Sequence, residues 1–363
     1  MKIAIVHDYL FQYGGAEKVL EAMHEVWPDA PIYTSVYIKK EMEKAGFNDQ
    51  GMDIRSTWMQ ALPFKKDLFK AYFMFYPLAF RSLNLSQYDV VISSSSYAAH
   101  HARASQSGLH ICYCHTPSRY LYGYDTELDH QKIKKIFPFM PLLYHIVRKW
   151  DRNSAKKINF YLTNSNEVRE RVKKHYTCDS EVIYPPVEIK KFLKVDPQKG
   201  EYFFTYGRLV AHKRVDLIVE AFNQLGLPLK IAGSGLELDN LKKKAKSNIE
   251  FLGRIDDSEL VKYLSRCYGV IFAANEDFGI VPVETMAAGK PVIAYRAGGV
   301  LESILPGKTG EFFYPQTTEA LVEAIRKFKP QDYDPAVCRK QAENFDKERF
   351  KEKIQKFVEE KFS

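Results

Sequence analysis

The sequence predicts an α/β protein with two doubly wound parallel sheets, one in each half of the chain. Short apolar runs alternate with segments of helical periodicity through both halves, a pattern typical of parallel sheets covered by helices. The two series are separated by Val182–Val187, in which consecutive prolines favour an extended connector. We therefore predict an N-terminal domain over residues 1–187, a C-terminal domain over residues 188–345 and a last helix over residues 346–363 that crosses back to the first domain.

Length and composition favour a globular protein with two cores. The chain has 363 residues, of which 45% are hydrophobic, and this is enough for two domains of ordinary size. The net charge of +8 fits an anionic ligand, an anionic membrane surface or a nucleic acid. The basic residues are dispersed among acids and no nucleic-acid-binding motif is present, which argues against a nucleic-acid partner.

Cysteine content and hydropathy bear on the compartment. The five cysteines are an odd number in a long chain, and no signal peptide precedes the first strand. We therefore expect a cytoplasmic protein without a disulfide framework. No apolar run approaches the roughly 20 residues that cross a bilayer, so no transmembrane helix is predicted.

The first half opens with a strand, a loop and a helix. Lys2–Val6 is an apolar strand, and Gly14 and Gly15 stand where the helix starts. Glycines at this point allow a ligand to approach the backbone closely. The loop is too long for the dinucleotide-binding pattern Gly-x-Gly-x-x-Gly, which argues against an NAD-dependent oxidoreductase. A simple turn and helix cap is the alternative for the two glycines.

Polar residues follow two further strands of this half. The serine run Ser93–Ser96 is expected to be a loop after a strand, and the strand His110–Cys114 delivers His115 at its carboxyl end. Cys112 and Cys114 share one face of that strand, so a Cys/Cys/His metal site is conceivable. No matching second ligand pair is present, and we predict no metal.

The segment Pro63–Leu83 has the pattern of a helical block with basic residues on either side of an aromatic centre. Its lysines Lys65, Lys66 and Lys70 are our candidates for contact with an acceptor or an anionic membrane, since basic ends around an aromatic middle are typical of interfacial segments. Pro77 would kink or end such a helix, and the same aromatics could pack in the core instead. Both interpretations stay open.

The second half carries charged and glycine-rich loops after its predicted strands. These strands are expected at 202–206, 229–232, 249–253, 269–273, 291–294 and 310–314. Arg208 and Lys213 follow the first strand, and Gly298 and Gly299 precede a helix that bears Glu302. Basic side chains supply positive charge at a crevice, and paired glycines expose backbone N–H groups to phosphate oxygens. Together these residues predict a diphosphate site, although a lone arginine after a strand is more often solvated or salt-bridged.

Two carboxylates stand on either side of one strand-to-helix junction. Glu276 follows a predicted strand, and Glu284 lies in what we expect to be the first turn of a helix that contains Pro282 and ends near Gly289. Ligands of open α/β sheets bind at such junctions, where free backbone amides and the helix dipole face the crevice. Glu284 suits the vicinal diol of a ribose, with a dipole-complementing acid as the alternative.

The residues between these carboxylates extend the same site. Glu276 can accept hydrogen bonds from the hydroxyls of a sugar. The amides of Phe278, Gly279 and Ile280 are aimed at the same ring if the helix begins there. The two carboxylates therefore predict a clamp for a nucleotide-linked sugar.

Taken together, these motifs resemble the retaining glycosyltransferases of family 4. The resemblance is carried by Gly207-Arg208-Leu209 with Lys213, Gly233-Ser234-Gly235, Phe251-Leu252-Gly253, Glu276–Glu284, and Gly298-Gly299 with Glu302. It covers nearly all of residues 200–302, and Gly14-Gly15-Ala16-Glu17 and His115-Thr116-Pro117 add a weaker match in the first half. It implies the GT-B fold, in which two Rossmann-like domains face each other across a cleft.

The resemblance also implies a role for each site residue. The catalytic group would be His115, Arg208, Lys213 and Glu276, with the two basic residues on the departing diphosphate. The donor-binding group would be Gly14, Gly15, Arg208, Lys213, Gly253, Arg254, Ile255, Glu276, Phe278, Gly279, Ile280, Val281 and Glu284. Within it, Gly253–Ile255 would lie against the base, and His115 would lie near the sugar or the acceptor hydroxyl. Family members act without a metal or a cofactor.

One sequence segment implies a particular donor and acceptor. His115–Tyr120, followed by Tyr124 and Asp125, is similar to bacterial and archaeal mannosyltransferases that use GDP-mannose in surface-polysaccharide assembly. This implies a lipid-linked saccharide acceptor and a peripheral position at the inner face of the cell membrane. A UDP-glucose or UDP-GlcNAc donor stays open, as does a non-catalytic nucleotide-sugar sensor.

Overall fold

The computed structural model describes residues 1–66, 68–69, 71–124 and 140–363. It divides into two compact units, Met1–Pro186 with Phe350–Ser363, and Val187–Arg349. Each unit is built on one parallel sheet, of seven strands in the first unit and six in the second. The predicted fold class is therefore confirmed. Among the described residues, no helix combines the length and apolar character that crossing a bilayer requires.

The first unit has the strand order β3-β2-β1-β4-β5-β6-β7, and the described pairs are parallel. The strands are β1 Ile3–His7, β2 Ile32–Thr34, β3 Ile54–Ser56, β4 Val90–Ser95, β5 Leu109–Cys114, β6 Phe160–Thr163 and β7 Glu181–Val182. The order reverses between β1 and β4, and in open sheets this switch point is where ligands bind. The loops that follow β1 and β4 are thus the positions in this unit best placed for a site.

The serines predicted to form a loop are largely strand. Ser93, Ser94 and Ser95 belong to β4 and are buried. Buried hydroxyls need partners, and each of these serines has a histidine: Ser93 Oγ lies 2.9 Å from His110 Nε2, and Ser95 Oγ lies 3.1 Å from His100 Nδ1. The prediction was wrong here because these partners come from other parts of the chain.

The helices of the first unit pack on both sides of its sheet. The α-helices are Gly15–Val26, Lys39–Lys44, Tyr76–Arg81, Arg119–Tyr122, Met140–Ala155 and Asn166–Tyr176, and Lys347–Phe362 returns to this unit near the end of the chain. Phe350, Ile354 and Phe357 of the last helix are buried in the same core as Ile5 and Ile92. These three residues recur at helical spacing, so they form the face of the last helix that packs on the core.

The predicted helical block is broken into short pieces. A 3-10 helix covers Ala71–Met74 and an α-helix covers Tyr76–Arg81. Pro77 lies at the start of that α-helix, where its missing N–H has no intrahelical partner to lose. Phe73 and Phe80 are buried, so part of the aromatic centre is core, and the prediction of one continuous helical block was wrong.

The second unit has the strand order of the first without its last strand. Its strand order is β10-β9-β8-β11-β12-β13, so its switch point lies between β8 and β11. The strands are β8 Tyr202–Tyr206, β9 Leu229–Ala232, β10 Ile249–Gly253, β11 Cys267–Phe272, β12 Val292–Tyr295 and β13 Gly310–Phe313. The α-helices are Lys190–Leu193, Val215–Leu225, Leu238–Lys244, Asp257–Ser265, Ile280–Ala287, Val300–Ser303, Thr318–Lys327 and Pro335–Ala342. Arg208 and Glu276 each follow one of the two switch-point strands.

Candidate functional site

A pocket of about 40 Å³ lies at the switch point of the second unit. Its walls come from the end of β8 and the loop after it, and from the end of β11 and the helix that follows. The lining residues include Gly207, Arg208, Lys213, Ala274 and Val281. Pockets that enclose a whole ligand usually measure 300–1,000 Å³, so this one has the size of a subsite. The two basic residues predicted to bind a diphosphate are brought together in it.

Lys213 and Glu276 form an ion pair beside this pocket. Lys213 ends a short 3-10 turn, Ala211–Lys213, and its Nζ donates to Glu276 Oε1. Each side chain is 22% exposed, so both groups are partly shielded yet within reach of a ligand. Both residues were predicted from the sequence to bind the donor, Lys213 its diphosphate and Glu276 its sugar. Their contact with each other was not predicted.

Two further residues hold the loop after β8. Arg214 adopts a left-handed backbone conformation (φ 53°) directly after Lys213. Its Nη1 donates to Gln316 Oε1 at 3.0 Å, and Gln316 Nε2 donates to the carbonyl of Ala273 at 2.8 Å. These bonds connect the loop after β8 to the end of β11. No pattern in the sequence indicated Gln316, which lies 102 positions after Arg214.

Glu284 is buried and has a tyrosine partner that the sequence did not indicate. Only 6% of Glu284 is exposed, and the hydroxyl of Tyr206 lies 3.2 Å from its Oε2, within donating distance. Burial, together with the nearby Glu284 carboxylate, raises the pKa of Tyr206 well above its ordinary value, so this hydroxyl stays a donor. The helix starts at Ile280, which places Glu284 in the second turn and not in the first as predicted.

The glycine pair after β12, Gly298 and Gly299, contacts the backbone of Glu276. The amide of Gly299 donates to the carbonyl of Glu276 at 2.9 Å, so it is already used and does not face a phosphate as predicted. Gly298 has φ 75°, and a Cβ there would lie 2.2 Å from the same carbonyl oxygen. Only glycine allows this close approach. The pair therefore holds the backbone of Glu276 in place beside Lys213.

The predicted base-binding segment lies next to a second glycine loop. Gly233 donates its amide to the carbonyl of Gly253 at 2.6 Å, and Arg254 Nε donates to Ser234 Oγ at 2.9 Å. Arg254 is exposed and Ile255 is half-buried. The carboxyl ends of β9 and β10 are thus brought together on the same edge of the sheet as the Lys213 pocket.

In the first unit, His115 is held from several directions. It is 8% exposed; its amide donates to Ser95 O at 2.8 Å, and its carbonyl accepts from Asn164 Nδ2 at 3.1 Å. Its Nε2 lies 2.8 Å from Ser94 Oγ.

The amide of Gly14 donates to Glu17 Oε2 at 2.7 Å. The last contact is a helix-start interaction, as the turn-and-cap interpretation of the glycines expected, while Gly15 is the exposed first residue of the helix.

Asp8 fixes the loop that follows β4 and was missed in the sequence. Its carboxylate is 2% exposed and accepts hydrogen bonds from four consecutive amides, those of Ser96–Ala99, at 2.6–2.9 Å. Successive backbone N–H groups form a concave anion site, and here a side chain of the protein occupies it. An acid directly after the first strand was the available signal, but such acids are common.

Among the described residues, one group has metal-ligand geometry, and it does not include Cys112 or Cys114. Nε2 of His100 and of His101 lie 2.9 and 3.5 Å from Asp151 Oδ1. Burial opposes a charge on His100, but Asp151 outweighs it and raises the pKa of His100, while burial lowers the pKa of His101 to about 4. A buried ion pair between His100 and Asp151 accounts for this cluster.

The predicted membrane lysines have protein partners. Lys65 Nζ donates to the carbonyl of Gln60 at 2.6 Å, and Lys66 Nζ pairs with Glu41 at 2.8 Å; Lys70 lies outside the described residues. The same part of the unit exposes large apolar side chains, which we call the apolar patch. Its members are Trp58 (45% exposed), Phe64 (72%), Leu68 (42%), Phe75 (44%) and Leu78 (44%).

Comparison with known proteins places this geometry in a family. Residues 13–191 match the family model Glycosyltransferase Family 4, and residues 187–351 match Glycosyl transferases group 1. The two matches adjoin at the connector and together cover both units. The chain belongs to the GT-B glycosyltransferases.

Individual relatives of this glycosyltransferase are more distant. The human alpha-1,3/1,6-mannosyltransferase ALG2 is 29% identical over 60% of this chain and 58% of its own length. The O-antigen chain mannosyltransferase RfbU of Salmonella typhimurium is 28% identical over 39% of this chain and 43% of its own length. The matches span about a third to three fifths of the length of the curated relatives.

Solved structures share the fold over the whole chain. Anabaena HepE, in a crystal structure with UDP, has a TM-score of 0.70 at 17% identity, covering 99% of this chain and 100% of that protein. At this identity, the similarity establishes the fold alone.

Proposed function

We propose that this glycosyltransferase moves a hexose, mannose from GDP-mannose, to a hydroxyl of a lipid-linked saccharide in cell-surface glycan assembly. The observation that carries the proposal is the meeting of Arg208, Lys213 and Glu276 at the switch point of the second unit. Two cations match a diphosphate, and a carboxylate beside them matches the hydroxyls of the sugar attached to it. Glu284 is the candidate for the ribose hydroxyls.

The catalytic contribution of this group is electrostatic. As the bond between sugar and diphosphate breaks, negative charge grows on the phosphate, and fixed cations aimed at it stabilise the transition state. Arg208 is exposed and Lys213 is half-buried, so both can reach a bound anion. Because they supply the positive charge, we propose that no metal is needed.

We further propose that transfer retains the anomeric configuration, with the leaving phosphate taking the acceptor proton on the same face of the sugar. A carboxylate nucleophile is the familiar alternative in glycoside chemistry. Glu276 is a poor candidate for that role, since its carboxylate is paired with Lys213. In the first unit, His115 is our candidate for contact with the sugar or the acceptor hydroxyl, and Gly15 is our candidate for close approach of the donor diphosphate.

The choice of donor rests on the relatives. Two of them are mannosyltransferases by name, and one of these acts on an O-antigen chain. HepE has been crystallised with UDP and with UDP-glucose, which favours a UDP-sugar as the second candidate. A sensor that binds nucleotide sugars without transfer would not need an acceptor residue such as His115.

The test of the function is a donor panel. Purified protein is incubated with labelled GDP-mannose, UDP-glucose and UDP-GlcNAc, each with membrane lipid extract and with or without a chelator. We expect label to pass from GDP-mannose to lipid and transfer to survive chelation. Transfer from a UDP-sugar alone would overturn the donor assignment. If the protein bound the nucleotide tightly but neither transferred sugar from any donor nor slowly hydrolysed it, the sensor would be favoured.

We also propose that the first unit touches an anionic membrane surface through its apolar patch. Aromatic and aliphatic side chains beside lysines are suited to the boundary between headgroups and acyl chains. Trp58 and Phe75 contact each other edge to face, with ring centroids 6.2 Å apart, while both remain exposed. Lys65 and Lys66 directly follow Phe64 of this patch in the chain, and they bond to Gln60 and Glu41.

Vesicle sedimentation tests the membrane contact. Phe64→Ser with Leu68→Ser should lower the fraction of protein that sediments with anionic vesicles by about tenfold, because burial of two large apolar side chains is lost. Changing Lys65, Lys66 and Lys70 to Glu should lower it as well. The matched control is Leu236→Ser, which removes an 84% exposed leucine of the second unit. Equal sedimentation of all variants would contradict the proposal.

A further inference from the structure

A chain of four buried polar side chains crosses the switch point of the first unit and ends on His115. Ser94 Oγ lies between two histidines, 3.1 Å from His7 Nδ1 and 2.8 Å from His115 Nε2. The other ring nitrogen of His7, Nε2, lies 3.6 Å from Glu17 Oε1. His7, Glu17 and Ser94 are at most 3% exposed. Such a series determines where the protons on its members lie.

The serine couples the two histidines. A hydroxyl has one hydrogen to donate and lone pairs with which to accept. When His7 Nδ1 accepts the hydrogen of Ser94, the nitrogen of His115 that faces the same oxygen must donate to it. When His7 donates instead, the hydrogen of Ser94 can turn to His115, which then accepts it. The proton positions on His7 and His115 are therefore linked through Ser94.

Glu17 selects between these two arrangements. Its Oε2 accepts the amide of Gly14, and it lies in the first turn of the helix Gly15–Val26, where the helix dipole favours a negative charge. A carboxylate 3.6 Å from His7 Nε2 favours a proton on that nitrogen. In neutral His7, Nδ1 is then the nitrogen with the lone pair and accepts from Ser94. His115 consequently carries its proton on Nε2 and its lone pair on Nδ1.

We propose that Glu17, His7 and Ser94 form a relay that keeps His115 in the Nε2–H tautomer, so that Nδ1 is the ring nitrogen with acceptor character during sugar transfer. This inference rests on the proposed glycosyl transfer and adds three positioning residues to it. The backbone bonds of His115 to Ser95 and Asn164 hold the residue in place, whereas the relay sets which ring nitrogen can accept. Second-layer partners of histidine commonly have this task.

Spectra of the ring nitrogens test the tautomer directly. The protein is labelled with 15N-histidine, and two-bond 1H–15N correlations are recorded. The signals that vanish in His115→Gln belong to His115. We expect a protonated Nε2 and an unprotonated Nδ1 for both His115 and His7. A protonated Nδ1 on His115, or a doubly protonated His7, overturns the proposal.

Removal of the central hydroxyl tests its consequence. In Ser94→Ala the two nitrogen signals of His115 should converge as the tautomers exchange, and kcat should fall about tenfold or more with KM for the donor nearly unchanged. Glu17→Gln, which preserves size, should also shift the His115 signals, because an amide can donate to His7 Nε2 and reverse the relay. Unchanged His115 signals or unchanged kcat in Ser94→Ala overturns the proposal.

The same strand supplies a matched control. Ser93 is equally buried and bonds a different histidine, His110, at 2.9 Å. Ser93→Ala should leave the His115 signals and kcat unchanged, which separates the relay from a general effect of a lost buried hydroxyl. If the wild-type protein transfers no sugar from any donor, the proposed function fails, and the nitrogen spectra still decide whether the relay sets the tautomer.

Discussion

Replacing Lys213 or Arg208 by alanine is expected to lower kcat of sugar transfer by about 100- to 1,000-fold, the range seen when one fixed electrostatic group is removed from a transition state. Both residues line the pocket at the switch point of β8 and β11, where the charge of the leaving diphosphate would develop. Steady-state kinetics with a saturating acceptor measure the effect, and KM for the donor should rise far less than kcat falls.

A matched ion pair elsewhere in the same unit provides the control. Lys191 pairs with Asp257 at 2.6 Å outside the pocket, so Lys191→Ala removes a similar contact without touching the proposed site. Its kcat should equal that of the wild type. If Lys213→Ala and Arg208→Ala also kept more than half of the wild-type kcat, the pocket would not be where the diphosphate departs.

Glu276→Ala and Glu284→Ala should separate catalysis from nucleotide binding. Glu276→Ala should lower kcat about 100-fold, since its carboxylate would grip the sugar in the transition state, while Kd for GDP stays equal or tightens. The tightening follows from the ion pair: Lys213 loses a competing carboxylate. Glu284→Ala should instead weaken GDP binding about tenfold, the free energy of roughly one lost charge-assisted hydrogen bond.

Calorimetric titration with GDP measures both affinities, and the transfer assay measures both rates. Tyr206→Phe serves as the control for Glu284, because it removes only the hydroxyl that contacts this carboxylate and leaves the carboxylate itself. Loss of GDP binding in Glu276→Ala would show that this residue holds the nucleotide and not the sugar. Unchanged GDP affinity in Glu284→Ala would remove the ribose assignment.

Much of the fold could be predicted from the sequence because hydrophobic periodicity depends on neighbouring residues. Alternating apolar and helical segments predicted both sheets, and the predicted strands agree with the observed ones to within about two residues for β1, β8 and β11, which is the usual uncertainty of element ends. The errors occur where tertiary partners override the local pattern. Ser93–Ser95 continue a strand because histidines satisfy their hydroxyls, and Pro77 starts a helix that it was expected to kink or end.

The candidate site also has residues that the sequence predicted and residues that it did not. Arg208, Lys213, Glu276 and Glu284 could be named from the sequence because each follows a predicted strand. Their partners could not be named. Examples are Gln316, which accepts from Arg214 of the loop after β8, and Tyr206, which lies beside Glu284. The amide of Gly299 looked suited to a phosphate but donates to the backbone of the Glu276 loop.

The sequence by itself determined the succession of strands and helices along the chain and the residue types that follow the strands. Only the tertiary structure decided the strand order of each sheet, the two switch points and which of those residues meet. Lys213 and Glu276 are 63 positions apart, and His7 and Ser94 are 87 positions apart. The physical reason is that hydrophobic periodicity is a property of neighbouring residues, whereas these contacts arise when parallel strands distant in the chain end at one edge of a sheet.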